Sequence, residues 1–190
     1  MDPVTLTTDR LLLRTVGPRD TDAVYDACQD PDIQRWTVIP SPYLREHAEA
    51  FTGRMAPDGW ADGSMFTFGV FLHCGELAGM LGITLHSPGE GEIGFWATKR
   101  HRSNGYITEA TLTVCRWAFV HAGIDRIEWR AEVGNVASRA VAERAGFTFE
   151  GTLRSATNNK GVRRDCWVGS LLPSDLALPS TAPYLPAPSA

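Results

Sequence analysis

The chain has 190 residues, 43% hydrophobic and 21% charged, an ordinary globular composition long enough for one domain with a full core. Its formal net charge of -4 leaves no polycationic footprint for a nucleic-acid backbone, and no apolar run reaches the roughly 18 residues of a membrane-spanning helix. Cys28, Cys74, Cys115 and Cys166 are dispersed, with no C-x-x-C pair and no clustered histidines, which argues against a metal site and a disulfide framework.

The opening residues show no basic stretch followed by an apolar one, so no secretory signal is read and a cytoplasmic location is expected. Residues 11–16 are a short apolar run after Thr7, Thr8 and Asp9 and read as a strand, broken by Gly17-Pro18. Residues 19–28 place Ala23, Val24 and Ala27 on one side of a helix that Asp30-Pro31 ends; residues 33–37 supply a further helical turn. Ser41-Pro42 reads as the N-cap and first position of a helix running to about Met55, with Ala48, Phe51 and Met55 as its apolar stripe. Residues 65–72, 77–85 and 92–98, rich in Phe, Val, Ile and Thr, form an antiparallel meander punctuated by Gly75 and Pro88-Gly89. A helix follows over 107–121, closed by Gly123, then a strand over 126–132 with Ile127 and Trp129 alternating. Residues 135–145 read as a short helix stopped by Gly146, and residues 147–153 and 163–172 as a final hairpin across Asn158-Asn159-Lys160-Gly161. The order β-α-α-β-β-β-α-β-α-β-β is a mixed, α+β arrangement over 1–172. Residues 173–190, with five prolines, read as a tail outside that domain.

The strongest local signal is the loop of residues 100–104, between a strand and a helix opening at Gly105. A glycine turn into a helix N-terminus offers free backbone N–H groups and the positive end of the helix dipole, which suit phosphate; Arg100 and Arg102 add positive charge. Neither G-x-x-x-x-G-K-[ST] nor G-x-G-x-x-G is matched, and a plain strand-to-helix connection stays open as the alternative. Arg102-Ser-Asn-Gly105-Tyr-Ile107 resembles the pyrophosphate loop R/Q-x-x-G-x-G/A of the GNAT acyltransferases, and Tyr106-Ile-Thr-Glu-Ala110 is similar to the helix start Y-A-T-E-A of their RimJ/RimL branch. Leu6-Thr-Thr-Asp-Arg-Leu-Leu-Leu-Arg14 is similar to that branch's first strand and Glu92-Ile-Gly-Phe-Trp96 to its fourth. Asn135-x-x-Ser138, followed by Ala145-Gly-Phe147 and Glu150-Gly151, is similar to its coenzyme-A-binding helix and sixth strand, so the resemblance covers residues 5–172.

The resemblance implies a mostly antiparallel seven-stranded sheet with about four helices, splayed between its fourth strand (residues 92–98) and its fifth (126–132). It implies an N-acyltransferase that moves an acetyl or other short acyl group from acyl-CoA, a co-substrate, to a primary amine by direct attack in a ternary complex. No metal is implied, and a homodimer is among the implied partners. In that reading the pantetheine pairs with the fourth strand, and backbone N–H groups near Phe95, Trp96 and Ala97 hold the oxyanion. The N–H groups of Ser103, Asn104, Gly105, Tyr106 and Ile107, with Arg102 beside them, hold the diphosphate. Asn135 and Ser138 complete the coenzyme site, Ser138 beside the sulfur; a simple N-cap at Asn135 is the alternative.

Three positions depart from the family pattern. The tyrosine that many GNAT enzymes place four residues before the Gly of G-F is Ala142 here. Residues 154–157 hold no acid where related enzymes place a Glu. Ile107 takes a loop position that is Gly or Ala in the family; its spacing with Ala110, Val114 and Trp117 turns it into the core. Glu92 shares a strand face with Gly94 and Trp96 and is the candidate base, acting through water; a carboxylate simply paired with arginine is the alternative. His86 and His101 read as surface or capping residues. Trp36, Tyr43 and Trp60 lie in the N-terminal region where this family shapes its acceptor pocket, with core or lid packing as the alternative. The acceptor stays open between a protein N-terminus or lysine and a small amine such as an amino acid, polyamine or antibiotic. A non-catalytic acyl-CoA sensor or scaffold is the competing reading from another class.

Overall fold

The computed structural model describes residues 1–180 and 182–187. Its strands are β1 (Leu6–Thr7), β2 (Leu11–Arg14), β3 (Met65–Leu72), β4 (Leu77–Ser87), β5 (Glu90–Ala97), β6 (Arg126–Glu132), β7 (Thr148–Asn159) and β8 (Val162–Leu171). Its helices are α1 (Thr21–Ala27), α2 (Pro31–Trp36), α3 (Arg45–Ala50), α4 (Ala56–Asp62), α5 (Tyr106–His121) and α6 (Val136–Arg144). The strands form one sheet in the order β1-β2-β3-β4-β5-β6-β8-β7, antiparallel except for the pair β5–β6.

Both faces of the central strands are apolar, so both need a cover. In β4, Leu81 and Ile83 join the main core with Ile107, Ala110, Val114 and Trp117, which form one helical stripe on α5. Met80 turns to the opposite face and packs with Val24, Ile33, Ala48 and Phe71 beneath α1 to α4. Those four helices have only six or seven residues each, too short to persist without this burial.

The departures from expectation have local causes. β1 adds an eighth strand of two residues, too short for any periodicity; its turn closes on Thr8 Oγ1, which accepts the Leu11 N–H at 3.0 Å. The helix expected from Ser41-Pro42 begins at Arg45 instead. Ser41 donates its hydroxyl to Gln34 Oε1 (2.9 Å) rather than capping, and the Leu44 N–H finds His47 Nδ1 (2.9 Å). Residues 51–55 wind as a π turn between α3 and α4, leaving Met55 exposed and only Ala48 of the expected stripe fully buried. Asp30-Pro31 ends α1 and also opens α2: Asp30 Oδ1 accepts the Asp32 N–H (2.9 Å), and proline takes the first helical position. These short helices raise the count above the four expected.

The segment after Leu172 does not lie wholly outside the domain, as its proline content led us to expect. Residues 173–176 form a 3-10 turn that buries Pro173 and places Leu176 in the main core, with Leu178 packed against it. Arg116 donates to the Leu176 carbonyl (3.3 Å). The apolar period was invisible because only two leucines carry the contact. Ending the chain at Leu172 is therefore expected to remove about 2–3 kcal/mol of burial, lowering Tm by roughly 5–10 °C. Ending it at Ser180 is expected to leave Tm unchanged; equal melting curves for the two truncations would refute the packing role of Leu176.

Candidate active site

The sheet opens where its one parallel pair stops. β5 and β6 pair only from Glu90 with Arg126 to Ile93 with Trp129. Beyond that rung, residues 94–97 have strand partners only in β4, and residues 130–132 only in β8. A wedge results, walled on one side by the free backbone groups of Phe95 and Ala97; those of Trp96 face Met80 of β4, in step with the bond from the Thr98 N–H to the Ala78 carbonyl (3.0 Å), so the Trp96 N–H does not face the wedge as expected. The splay expected between residues 92–98 and 126–132 is present.

At the end of β5 the chain runs through a 3-10 turn into residues 102–105. Ser103 (φ 63°) and Gly105 (φ 77°) are both left-handed, which aims successive N–H groups into one concavity. Among the described residues, no protein acceptor takes the N–H groups of Ser103, Asn104, Gly105, Tyr106 or Ile107. Gly105 is the N-cap of α5, a helix of 16 residues, so its dipole adds positive potential there. The arginines and the histidine nearby are already paired. Arg100 and His101 contact Glu76, Arg10 contacts Glu109 (2.5 Å), and Arg10 donates to the Asn104 carbonyl (3.1 Å). Arg102 donates to Asp30 (2.7 Å) and Asp32 (2.9 Å) and so is not directed at the N–H concavity as expected.

Ile107 is buried and faces Gly79 of β4, where a Cβ would stand 2.6 Å from Ile107 Cδ1. The missing side chain at Gly79 makes room for the larger residue at 107, so the isoleucine packs inward instead of filling the loop.

Asn135 is the N-cap of α6, its Oδ1 accepting the Ser138 N–H at 3.2 Å. Ser138 Oγ accepts the indole N–H of Trp129 at 2.9 Å, placing it at the last rung of β6 on the α6 side of the sheet. Ala142 is buried, so no tyrosine hydroxyl is available from that position. Glu92 lies one rung earlier, on the opposite face, 3.6 Å from Arg130 Nε and 3.4 Å from His86 Nε2. It lines a surface cleft of about 240 Å³ with His86, Glu90, Glu128 and Arg130.

Of the aromatic candidates, only Trp36 is near the wedge. Its ring lies under the Arg35 guanidinium, and a Cβ on Gly134, in the turn after β6, would stand 3.8 Å from its edge. Trp60 is fully buried between Phe66, Phe68 and Trp117 and donates to the Thr67 carbonyl (3.0 Å). Tyr43 is buried in the second core beside Cys28. Both are packing residues, because strand and helix burial of their large apolar faces outweighs any exposure at a pocket. Sequence reasoning missed Arg35 and Glu132, which form a two-pronged ion pair (2.6 and 2.9 Å) from α2 to the end of β6 across 97 positions. The hydrogen bond from Arg35, outweighing burial, holds the Glu132 carboxyl below its usual range. No local signal announces a pair so far apart.

Residues 10–148 match the family model described as Acetyltransferase (GNAT) domain. The uncharacterized N-acetyltransferase YjdG of Bacillus subtilis (strain 168) is 32% identical over 181 residues, covering 87% of this chain and 97% of that protein. Putative ribosomal N-acetyltransferase YdaF of the same organism is 38% identical over 105 residues, 53% of this chain and 56% of that protein. Mycobacterium smegmatis RimJ, solved in complex with CoA-disulfide, shares the fold with a TM-score of 0.81 at 22% identity, over 93% of this chain and 92% of that one. Among the described residues no cluster of ligating side chains suits a metal. The sheet, its wedge and the match over residues 10–148 make this chain a member of the GNAT family, an acyl-CoA-dependent N-acetyltransferase.

Proposed function

We propose that this chain transfers an acetyl group from acetyl-CoA to a primary amine, the amino terminus of a protein, by direct attack within a ternary complex. The observation that carries this is the row of untaken N–H groups from Ser103 to Ile107 at the head of α5, beside the free edge of β5. The N–H groups suit a diphosphate, and the strand edge suits the amide groups of a pantetheine arm. Acyl-CoA supplies an activated thioester. Backbone N–H groups at Phe95 and Ala97, the two of this segment that face the wedge, then hold the charge that develops on the carbonyl oxygen. Because Ser138 Oγ accepts from Trp129, its own proton is free to point at the departing sulfur. Glu92 accepts the ammonium proton through water on the opposite face, with Arg130 and His86 orienting its carboxylate.

The acceptor assignment is supported by the relative named for a ribosomal substrate. Chemistry supports it too: an α-amine, with a reference pKa near 8, gives up its proton more readily than a lysine near 10.4. Direct transfer is supported by three of the four cysteines. Cys28, Cys115 and Cys166 are buried, and burial pushes the Cys28 thiol up to about 12 and raises Cys115 as well; Cys74, in the turn between β3 and β4, is exposed.

The test is a thiol-release screen of N-terminal peptides and small amines with several acyl donors. Release with N-terminal peptides is expected. Coenzyme binding with no release across the panel would leave the sensor reading standing. Ser138→Ala is expected to lower kcat by about 10²-fold, the low end for a general acid, with coenzyme affinity within a few-fold. A wild-type rate would remove Ser138 from the mechanism, and an acylated cysteine turning over at a competent rate would overturn direct transfer.

A further inference from the structure

Helix α2 crosses the open end of the wedge and is fastened at both ends by polar contacts. At its C-terminal end, Arg35 pairs with Glu132 of β6. Asn159, at the tip of β7, donates to the Arg35 carbonyl (3.1 Å) and to Glu132 (3.2 Å), and Lys160 donates to the Gln34 carbonyl. At its N-terminal end the fastening is Arg102, from the loop after β5. One Asp30 oxygen caps α2 through the Asp32 N–H (2.9 Å), and the other accepts from Arg102 (2.7 Å). Asp32, one turn position further, takes the second arm (2.9 Å).

We propose that Arg102 is a positioning residue that couples the coenzyme loop to α2, so that coenzyme binding orders the acceptor side of the wedge. This rests on the reading that Ser103 to Ile107 hold the diphosphate. The Asp30 side chain is 9% exposed, so it needs its cation whether or not coenzyme is present. Arg102 stays with Asp30 and Asp32 while the adjacent N–H groups meet the anion. The loop and α2 therefore share one rigid joint. A six-residue helix has little stability of its own, and its anchoring apolar contact is the single fully buried Ile33. Ordering the loop removes part of the entropy that α2 otherwise loses on docking, and the two ends of the joint are linked reciprocally. Trp36 and Arg35, which roof the wedge from α2, are held in register by the same joint.

The experiment is amide hydrogen exchange of the full chain with and without saturating acetyl-CoA, reading peptides over 28–37 and 102–110. In the wild type, coenzyme is expected to slow exchange in both peptides, in the α2 peptide by about five-fold or more. Asp30→Ser keeps a capping hydroxyl and removes the partner of Arg102; Asp32→Asn removes the second arm and leaves the cap. In each, coenzyme should still protect 102–110 while protection of 28–37 shrinks, and Arg102→Lys in the otherwise wild-type chain should retain only part of it, because an ammonium cannot hold two carboxylates in the forked geometry. Undiminished protection of α2 in Asp30→Ser and Asp32→Asn, or an α2 peptide indifferent to coenzyme in the wild type, would overturn the coupling while leaving the diphosphate reading intact. Faster exchange in α2 on binding would show Arg102 drawn away to the anion and would overturn it also. Binding without protection of 102–110 would overturn the diphosphate reading and the coupling together.

Discussion

Gly105→Asp is expected to lower affinity for acetyl-CoA by roughly 10²–10³-fold without unfolding the chain, the loss of about two charge-assisted hydrogen bonds. The position is left-handed (φ 77°), a conformation that aspartate tolerates better than most residues, at a cost of roughly 1–2 kcal/mol. Its Cβ would meet nothing closer than an Arg10 nitrogen at 3.7 Å, so the new side chain fits and gains a cation. At the N-cap of α5 the carboxylate would also accept the helix's own free N–H groups. The fold is thus preserved by the contacts that exclude a diphosphate: the charge and the hydrogen-bond donors are already satisfied. Gly105→Ala carries the backbone strain without the charge and should lose only a few-fold. Titration calorimetry of both variants, with melting curves as the control, decides the matter; wild-type affinity in a folded Gly105→Asp protein would remove the α5 N-terminus from the coenzyme site.

Gly79→Ala is expected to be strongly damaging, because a Cβ there makes the shortest backbone contact among the glycines. A Cβ there would stand 2.4 Å from the Trp96 carbonyl oxygen and 2.6 Å from Ile107 Cδ1. The isoleucine end can rotate, but the Trp96 carbonyl belongs to the backbone of β5 and can only move with the strand. Overpacking of this kind costs about 3 kcal/mol, a Tm drop of roughly 6–12 °C for a chain of this size. The displaced segment is residues 95–97, the free edge assigned to the acyl donor, so coenzyme affinity should fall along with stability. Adding Ile107→Ala relieves the side-chain clash alone and should recover less than half of the lost Tm. Full recovery in the double variant would show that the backbone contact is immaterial.

The parts of this protein legible from local chemistry were those in which neighbours in sequence are also neighbours in space. Runs rich in Phe, Val, Ile and Thr, separated by Gly75 and Pro88-Gly89, marked the meander, because β-branched and aromatic side chains and turn residues act on their own stretch of chain. The concavity of residues 103–107 was legible because a helix N-terminus carries its free N–H groups whatever surrounds it. Asn135 caps α6, the alternative its sequence position left open beside a coenzyme role, and the cap was legible because its partner Ser138 is three positions away. The inward turn of Ile107 was readable from helical spacing, although the reason it fits, the empty position at Gly79, was not.

Tertiary structure decided everything that depends on residues far apart in the chain. Trp36, Tyr43 and Trp60 look alike as aromatic residues in an N-terminal helical region. Only packing sends Trp60 and Tyr43 into the cores and leaves Trp36 at the wedge. Arg102 reads in sequence as a cation for phosphate; in space two aspartates some 70 residues away hold it instead. Ser138 acquires a chemical direction only from Trp129, and Glu92 and Ser138 prove to lie on opposite faces of the sheet at adjacent rungs. The end of the wedge that we assign to the coenzyme was legible in the chain itself, because it consists of backbone N–H groups and one helix dipole. The opposite end, which we assign to the acceptor, consists of side-chain pairs across α2, β6 and the β7–β8 turn, and such pairs exist only once the sheet has brought them together.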